Sequence, residues 1–315
     1  MDSFSKSTKL EIISQDAKFD VPFLFALFVS SGSYDEEGNM EITTDLEELF
    51  PYVKRNTLRL AKINEIETCQ DDIVETEAFK ISQKEFHKII FKNNILKKLF
   101  EKCGILDEQN IEENMQIATK TQENIKNFSK GMFLGCGTSS IKISQKANEK
   151  TSSGYHLEFS SKSSLLLREY SHLLAQFDIF AKLISRKNNY VLYLKDAEQV
   201  CDLLALIGAS GAVVTLQSEM AKRDFRNKIN RQTNCLSGNI SKTVEASMKQ
   251  LEAIKKIDNK IGIENLPPDL AEVALMRLAN PEEPLTTLLK LSNMNLTKSG
   301  LNHRLRKIVS MADKL

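Results

Sequence analysis

The stretch LFALFVSSGS, Leu24 to Ser33, is apolar for six residues and then stops on Ser-Ser-Gly-Ser. A second stretch of the same build, GMFLGCGTS, spans Gly131 to Ser139, and its Gly137 lies 105 residues after Gly32. Both runs fall well short of the roughly 20 apolar residues that span a bilayer. A phosphate loop would place its glycines ahead of a helix and end on Gly-Lys-Ser/Thr. Here the glycine follows the apolar run and no such ending comes after it. One such stretch would read simply as a core helix ending on glycine. Two of them, each opening a similar series of elements, call for more.

After Gly137 the pattern predicts a strand over GYHLEFS (154–160) and a helix over LLLREYSHLLAQF (165–177). Two more strands follow, IFAKLIS (179–185) and NYVLYLK (189–195), parted by a turn at Arg186–Asn189, and the helix DAEQVCDLLALIG closes the unit. After Gly32 a fainter version predicts a strand at NMEITT, a helix at LEELFPYVKRN, strands at LAKINEIE and near VETEAFKI, and a helix at QKEFHKIIFKN. The order is α-β-α-β-β-α, twice, which makes the body an α+β repeat: residues 1–105 and 106–216. The polar segment LDEQNIEENMQIATKTQENIKNFSK between them is expected to be an irregular connector with some helix. Beyond Gly211 the period becomes purely helical, with QSEMAKRDFRNKINRQ and SKTVEASMKQLEAIKKIDNKIG as amphipathic helices and LPPDLAEVALMRLAN starting on proline. Residues 217–315 form the third expected domain.

Composition is that of a globular chain: 315 residues, 27% charged and 41% apolar. The first residues show neither a signal-peptide core nor an Arg-rich amphipathic pattern. Five scattered cysteines without C-x-x-C, and only four histidines, argue against a disulfide framework and a zinc site and suit a reducing compartment. The expectation is a cytoplasmic protein with no cofactor, no metal and no membrane partner. The net charge of +1 hides a division. Residues 217–315 carry 17 Lys+Arg against 11 Asp+Glu, whereas the preceding 216 residues are net −5. A polyanion would therefore dock at the tail.

The last forty residues point the same way. PLTTLLKLSNMNLTKSGLNHRLRKIVSMADKL predicts a short helix at Leu285–Leu291, a turn at Ser292–Leu296 and a second helix from Lys298, with Thr297 as its N-cap. The helix-turn-helix so formed covers 285–312. At 100° per residue Leu301, Leu305 and Ile308 face inward, while Ser299, Asn302, His303 and Arg306 gather on the opposite side. Such a front suits a reader of the major groove, since Arg pairs bidentately with guanine and Asn with adenine. Lys298, Arg304 and Lys307 on the flanks are candidate phosphate contacts. So are Lys222, Arg223, Arg226, Lys228 and Arg231, which face a single Asp224 within MAKRDFRNKINRQTN. A solvated helix face is the bland alternative for each cluster.

The paired greasy stretches resemble the LAGLIDADG motif of homing endonucleases, in which two such helices pack side by side about a pseudo-twofold axis. The resemblance implies that Ala26, Ser30, Ser31, Gly131 and Gly135 permit close backbone approach, and that Leu24, Leu27, Phe28, Met132, Phe133 and Leu134 fill the flanking cores. The nucleases carry a metal-binding carboxylate just before each terminal glycine. Those positions here are Ser31 and Cys136, which offer no charged oxygen for a hard divalent cation. The implication is a retained fold without catalysis. Asp35, Glu36 and Glu37 are the relocated acids that a surviving nuclease would have to use.

The whole chain, moreover, is similar to the WhiA family of bacterial sporulation and cell-division regulators. The resemblance is carried by YHLEF, YLKDAEQV, RDFRNKINRQTNCLSGNISKTVEAS, IKKIDNKIGIENLPPDLAEVALMRL and TKSGLNHRLRKI. It is faintest over 35–130. It implies a degenerate LAGLIDADG domain joined to a helix-turn-helix like that of sigma-factor region 4, and a regulator of transcription linked to cell division, chromosome segregation or sporulation. Double-stranded DNA is the implied partner, with RNA polymerase or another transcription factor as a second candidate. Thr297 stands where the family usually carries Ser.

Overall fold

The computed structural model describes residues 3–15, 19–76, 78–81, 84–105, 110–143, 154–291 and 296–315. The chain divides into two compact units, Met1–Lys222 and Arg223–Leu315.

The first unit opens with helix α1 (Phe4–Ser14), capped by Ser3, and continues into α2 (Val21–Ser31). Asp20 caps α2 by accepting the Phe23 N–H at 3.1 Å, with Pro22 in the first turn. Leu24–Leu27 are almost wholly buried, so this helix is apolar on every side because every side faces core. Its counterpart is α6 (Gln122–Cys136). The two pack against each other, and Asn127 Nδ2 on α6 donates to Asp20 Oδ2 at 2.7 Å. Burial raises the Asp20 carboxyl above its usual value against the opposing effect of these hydrogen bonds.

Neither motif helix ends in a flexible turn. The chain passes straight from Ser31 into strand β1 (Gly32–Tyr34), and from Cys136 into β6 (Gly137–Ser139). Gly32 and Gly137 have extended backbones, φ −88° and −80°, so left-handed geometry is not why glycine is there. Space is the reason: a Cβ at either would collide with the phenylalanine four residues back, Phe28 or Phe133.

In the first repeat β1 leads to β2 (Met40–Thr44), α3 (Leu49–Ile63), β3 (Ile73–Glu75), β4 (Phe79–Ile81), β5 (Lys84–Phe91) and α4 (Ile95–Lys102). Its antiparallel sheet has the order β1-β2-β5-β3, with β4 also on β5. After α5 (Ile111–Ala118) and α6, the second repeat runs β6, β7 (Leu157–Ser161), α7 (Ser164–Ala175), β8 (Lys182–Arg186), β9 (Asn189–Leu194) and α8 (Ala197–Leu206). Its sheet has the order β6-β7-β9-β8. Both repeats share one hydrophobic core.

Several sequence expectations need correcting. Each repeat has an additional short strand directly after the motif helix, β1 or β6. LAKINEIE is not a strand: Val53, Asn56, Thr57, Leu60 and Ala61 are all buried at helical spacing, and α3 carries the chain to Ile63. QKEFHKIIFKN is not a helix but the central strand β5, whose Ile89 and Phe91 point into the core while Lys88 reaches Glu41 on the other face at 2.7 Å. The polar connector supplies α5 and the first two turns of α6, while 106–109 lie outside the described residues. The two amphipathic helices expected after Gly211 are one continuous helix, α9 (Ser210–Ile261), of 52 residues. Glu11 on α1 caps its start, accepting the N–H groups of Gly211 at 2.6 Å and Ala212 at 3.0 Å.

In the second unit, Ala253, Ile254 and Ile257 of α9 join α10 (Pro268–Ala279), α11 (Leu285–Leu291) and α12 (Lys298–Asp313) in a separate core. Among the described residues no helix is long and apolar enough to cross a membrane.

Candidate nucleic-acid interface

Helix α12 begins as its sequence dictates, with the Thr297 hydroxyl accepting the Gly300 N–H at 3.1 Å. Leu301, Leu305 and Ile308 are fully buried against Leu270, Val273 and Ala274 of α10 and Leu288 of α11. Helical spacing then fixes the other face. Ser299, His303 and Arg306 are exposed and Asn302 is half-buried, the four following one another at i, i+3, i+4 and i+7. Of the expected turn, residues 292–295 lie outside the described residues.

Arg277, on α10, is 2% exposed. Its Nη1 donates to the carbonyl oxygens of Glu283 at 2.7 Å and Asn280 at 3.4 Å, which holds the link between α10 and α11. Burial pulls its pKa below the usual arginine value. Sequence reasoning missed this residue, although an arginine on the apolar side of an otherwise regular helix is the signal that marks it.

The phosphate-contact candidates fall into two sets. Lys298 and Lys307 flank the α12 face and are exposed. Arg304 is half-buried and its Nε lies 3.5 Å from Asp269 Oδ2 on α10, so it is already engaged within the domain. The second set lies on α9, where Lys222, Lys228 and Arg231 are exposed and Arg223 and Arg226 half-buried. Arg231 precedes Ala253, the first α9 residue of the second core, by 22 residues. At 1.5 Å per residue that is about 33 Å of helix. The structure therefore does not gather the α9 cluster and the α12 face into one continuous patch.

At the end of the two motif helices stand Ser31 and Cys136, the positions at which the nucleases carry their carboxylates. The Ser31 hydroxyl donates to the Leu27 carbonyl oxygen of its own helix at 2.8 Å. The Cys136 thiol is pushed up to about 12, chiefly by desolvation, with the nearby Lys9 ammonium acting in the opposite direction. Lys9 itself is 7% exposed, and it lies 3.9 Å from Asp45. A cation thus stands beside one of the two positions where a nuclease would place an anion. The open cleft here, about 640 Å³, mixes Lys6 and Lys9 with Asp45, Glu47 and Glu85. Asp35 closes the β1–β2 turn instead of facing a metal, accepting the N–H groups of Glu37 at 3.0 Å and Asn39 at 2.8 Å. Among the described residues no group of three His, Cys, Asp or Glu side chains could hold a metal ion.

Comparison with known proteins finds relatives for both parts of the chain. The family model described as the WhiA LAGLIDADG-like domain matches residues 125–226, and that of the WhiA C-terminal HTH domain matches 229–312. A probable cell division protein WhiA of Clostridium acetobutylicum is 32% identical over 323 residues, which covers 99% of this chain and 98% of that one. The chain belongs to the WhiA family. The WhiA homologue of Clostridium perfringens strain 13 is 41% identical over 228 residues, 70% of this chain and 68% of its own. The crystal structure of full-length DUF199/WhiA from Thermotoga maritima matches over 100% of this chain and 99% of its own at a TM-score of 0.54. At 23% identity it speaks for the fold alone. The WhiA architecture is therefore a LAGLIDADG-like α+β body joined to a helical helix-turn-helix domain, as the sequence implies.

Proposed function

We propose that the chain is a sequence-specific DNA-binding regulator of transcription, linked to cell division, chromosome segregation or sporulation. Its LAGLIDADG-like body is a scaffold without catalytic activity. The observation that carries this reading is α12: one face is locked into the core through Leu301, Leu305 and Ile308, and the other presents Ser299, Asn302, His303 and Arg306. In a major groove those four would meet base edges, with Lys298 and Lys307 on the adjoining phosphates. The basic α9 cluster would supply further, sequence-independent attraction. Double-stranded DNA is the partner in this reading, and the place of action is the nucleoid. Loss of both anionic ligand positions and the ammonium of Lys9 beside Cys136 support the absence of nuclease chemistry.

The test is selection of bound sequences from a random duplex pool by the full chain, followed by titration of the selected site across a salt series. One recovered consensus is expected, bound with an affinity that falls about 10³-fold or more between low and moderate salt if six or so phosphates are contacted. An unenriched pool, with weak binding that salt leaves unchanged, would overturn the proposal.

A further inference from the structure

The middle of α9 carries an apolar line that serves no purpose within the described chain. Phe225 is 65% exposed, Leu236 63% and Ile240 63%, with Ile229 and Val244 also open to solvent. Phe225 and Leu236 are eleven residues apart, and so are Ile229 and Ile240. Eleven residues make just over three whole turns, so the line drifts by only about 20° along the helix axis. At 100° per residue the four fall within a 60° arc, and from Phe225 to Ile240 the line is about 23 Å long. Exposed apolar side chains scattered singly are ordinary, but aligned ones of this length mark a surface that something covers.

We propose that Phe225–Ile240 is a docking seam for an acidic amphipathic helix of a partner protein. Charge selects that occupant. From Lys222 to Lys242 the helix carries six basic residues and one acid, Asp224. A second copy of the chain would set two such segments face to face, like against like. A lipid surface fits poorly, because a helix lying in a membrane interface needs an apolar face of 100° or more, and the four aligned residues cover 60°. A helix with its own narrow apolar seam and acidic flanks answers both features. Lys222, Arg226 and Lys228 border the seam, and they also stand among the proposed phosphate contacts. Partner and DNA would therefore compete for this part of α9. The seam stands without the DNA reading, since no residue of α12 enters it.

The test places a photo-crosslinking phenylalanine analogue at position 236 of the full chain in the cells that make it, with position 234, on the opposite side of the helix, as control. Adducts are mapped by sequencing the joined peptides. The expected result is an adduct at 236 and none at 234, joined to a helix with apolar residues at i, i+3/i+4 and i+7 and acids between them. Adduct yield should drop at least tenfold in K228E. Adducts with a second copy, with lipid, with DNA or with the chain's own first unit would each overturn the proposal, as would the lack of any adduct.

Discussion

The backbone of Gly131 on α6 lies directly against the carbonyl oxygen of Phe23 on α2. A Cβ at that glycine would enter the oxygen's van der Waals envelope and come within 2.8 Å of the Ala26 Cβ. Four residues on, Gly135 meets the Ser30 hydroxyl in the same way. The two helices therefore touch through backbone, and the crossing cannot widen without opening the cores on either side. Gly131→Ala is expected to cost about 3 kcal/mol, the upper part of the range for overpacking, despite alanine's better helix propensity. Gly238 on α9 is the contrast, with nothing within 4 Å of where its Cβ would be. Gly238→Ala should stabilise by up to about 1 kcal/mol. Denaturant titration of both variants decides the matter, and equal effects would show that the crossing is not tight.

Lys9 bears on whether nuclease chemistry can be restored. In the double variant Ser31→Asp, Cys136→Asp, a new carboxylate at 136 would find an ammonium close by and would form an ion pair with it. Plasmid nicking with Mg²⁺ or Mn²⁺ is expected to stay at background. Metal-dependent cutting by the double variant would show that only the ligands are missing.

Cys136 also predicts a pH dependence. Its ordinary thiol value is 9.0 and the folded value about 12. Between the two the folded chain holds a proton that the unfolded chain has released, so stability is full below pH 9 and falls as pH rises toward 12. Cys136→Ala should flatten that decline. At pH 8 a thiol reagent is expected to reach the exposed Cys69, Cys103 and Cys235 and to leave Cys136 intact until the chain unfolds. Rapid labelling of half-buried Cys136 in the folded chain would show that its thiol is not held protonated.

What the sequence made legible follows from how locally each feature is determined. The motif helices announce themselves because a helix buried on all sides must be apolar on all sides. The helix-turn-helix is legible down to Thr297, because cap, apolar spacing and polar face all lie within thirty residues. β5 is not, since its partner β2 lies some forty residues upstream beyond α3, and the Lys88–Glu41 pair leaves charge on a central strand. Nor is the continuity of α9 through Thr233–Gly238, where polar residues and glycine suggest a break. Helix α1 escaped notice, though Ser3 as cap with Thr8 and Ile12 turned inward marks it. The roles of Ser31 and Cys136 needed the resemblance to a nuclease, while Lys9 beside them needed coordinates.

Thr297 is a small but separable contributor to the stability of the second unit. Thr297→Ala leaves the Gly300 N–H without its side-chain acceptor and should cost the second unit about 1 kcal/mol, whereas Thr297→Ser should be near neutral. The denaturant midpoint of the transition assigned to residues 223–315 is the measurement. A cost shared equally by the serine variant would mean that the threonine methyl, and not the cap, matters there.

The assignment of base-reading and phosphate-contacting roles makes two distinct predictions for binding. Asn302→Ala and Arg306→Ala each remove one bidentate group from the open face of α12, and each should weaken the selected site by about 1–3 kcal/mol. Nonspecific duplex should be bound nearly as before by Asn302→Ala. Lys228→Ala and Arg231→Ala, on α9, should instead weaken all sequences alike and reduce the salt slope by about one unit for each phosphate left unneutralised. Arg304→Ala ought to act differently again, since its partner is Asp269, and should lower domain stability more than DNA affinity. Fluorescence anisotropy on specific and scrambled duplexes over a salt series separates the three classes. If Asn302→Ala and Lys228→Ala gave the same profile, α12 would be holding backbone and reading no sequence.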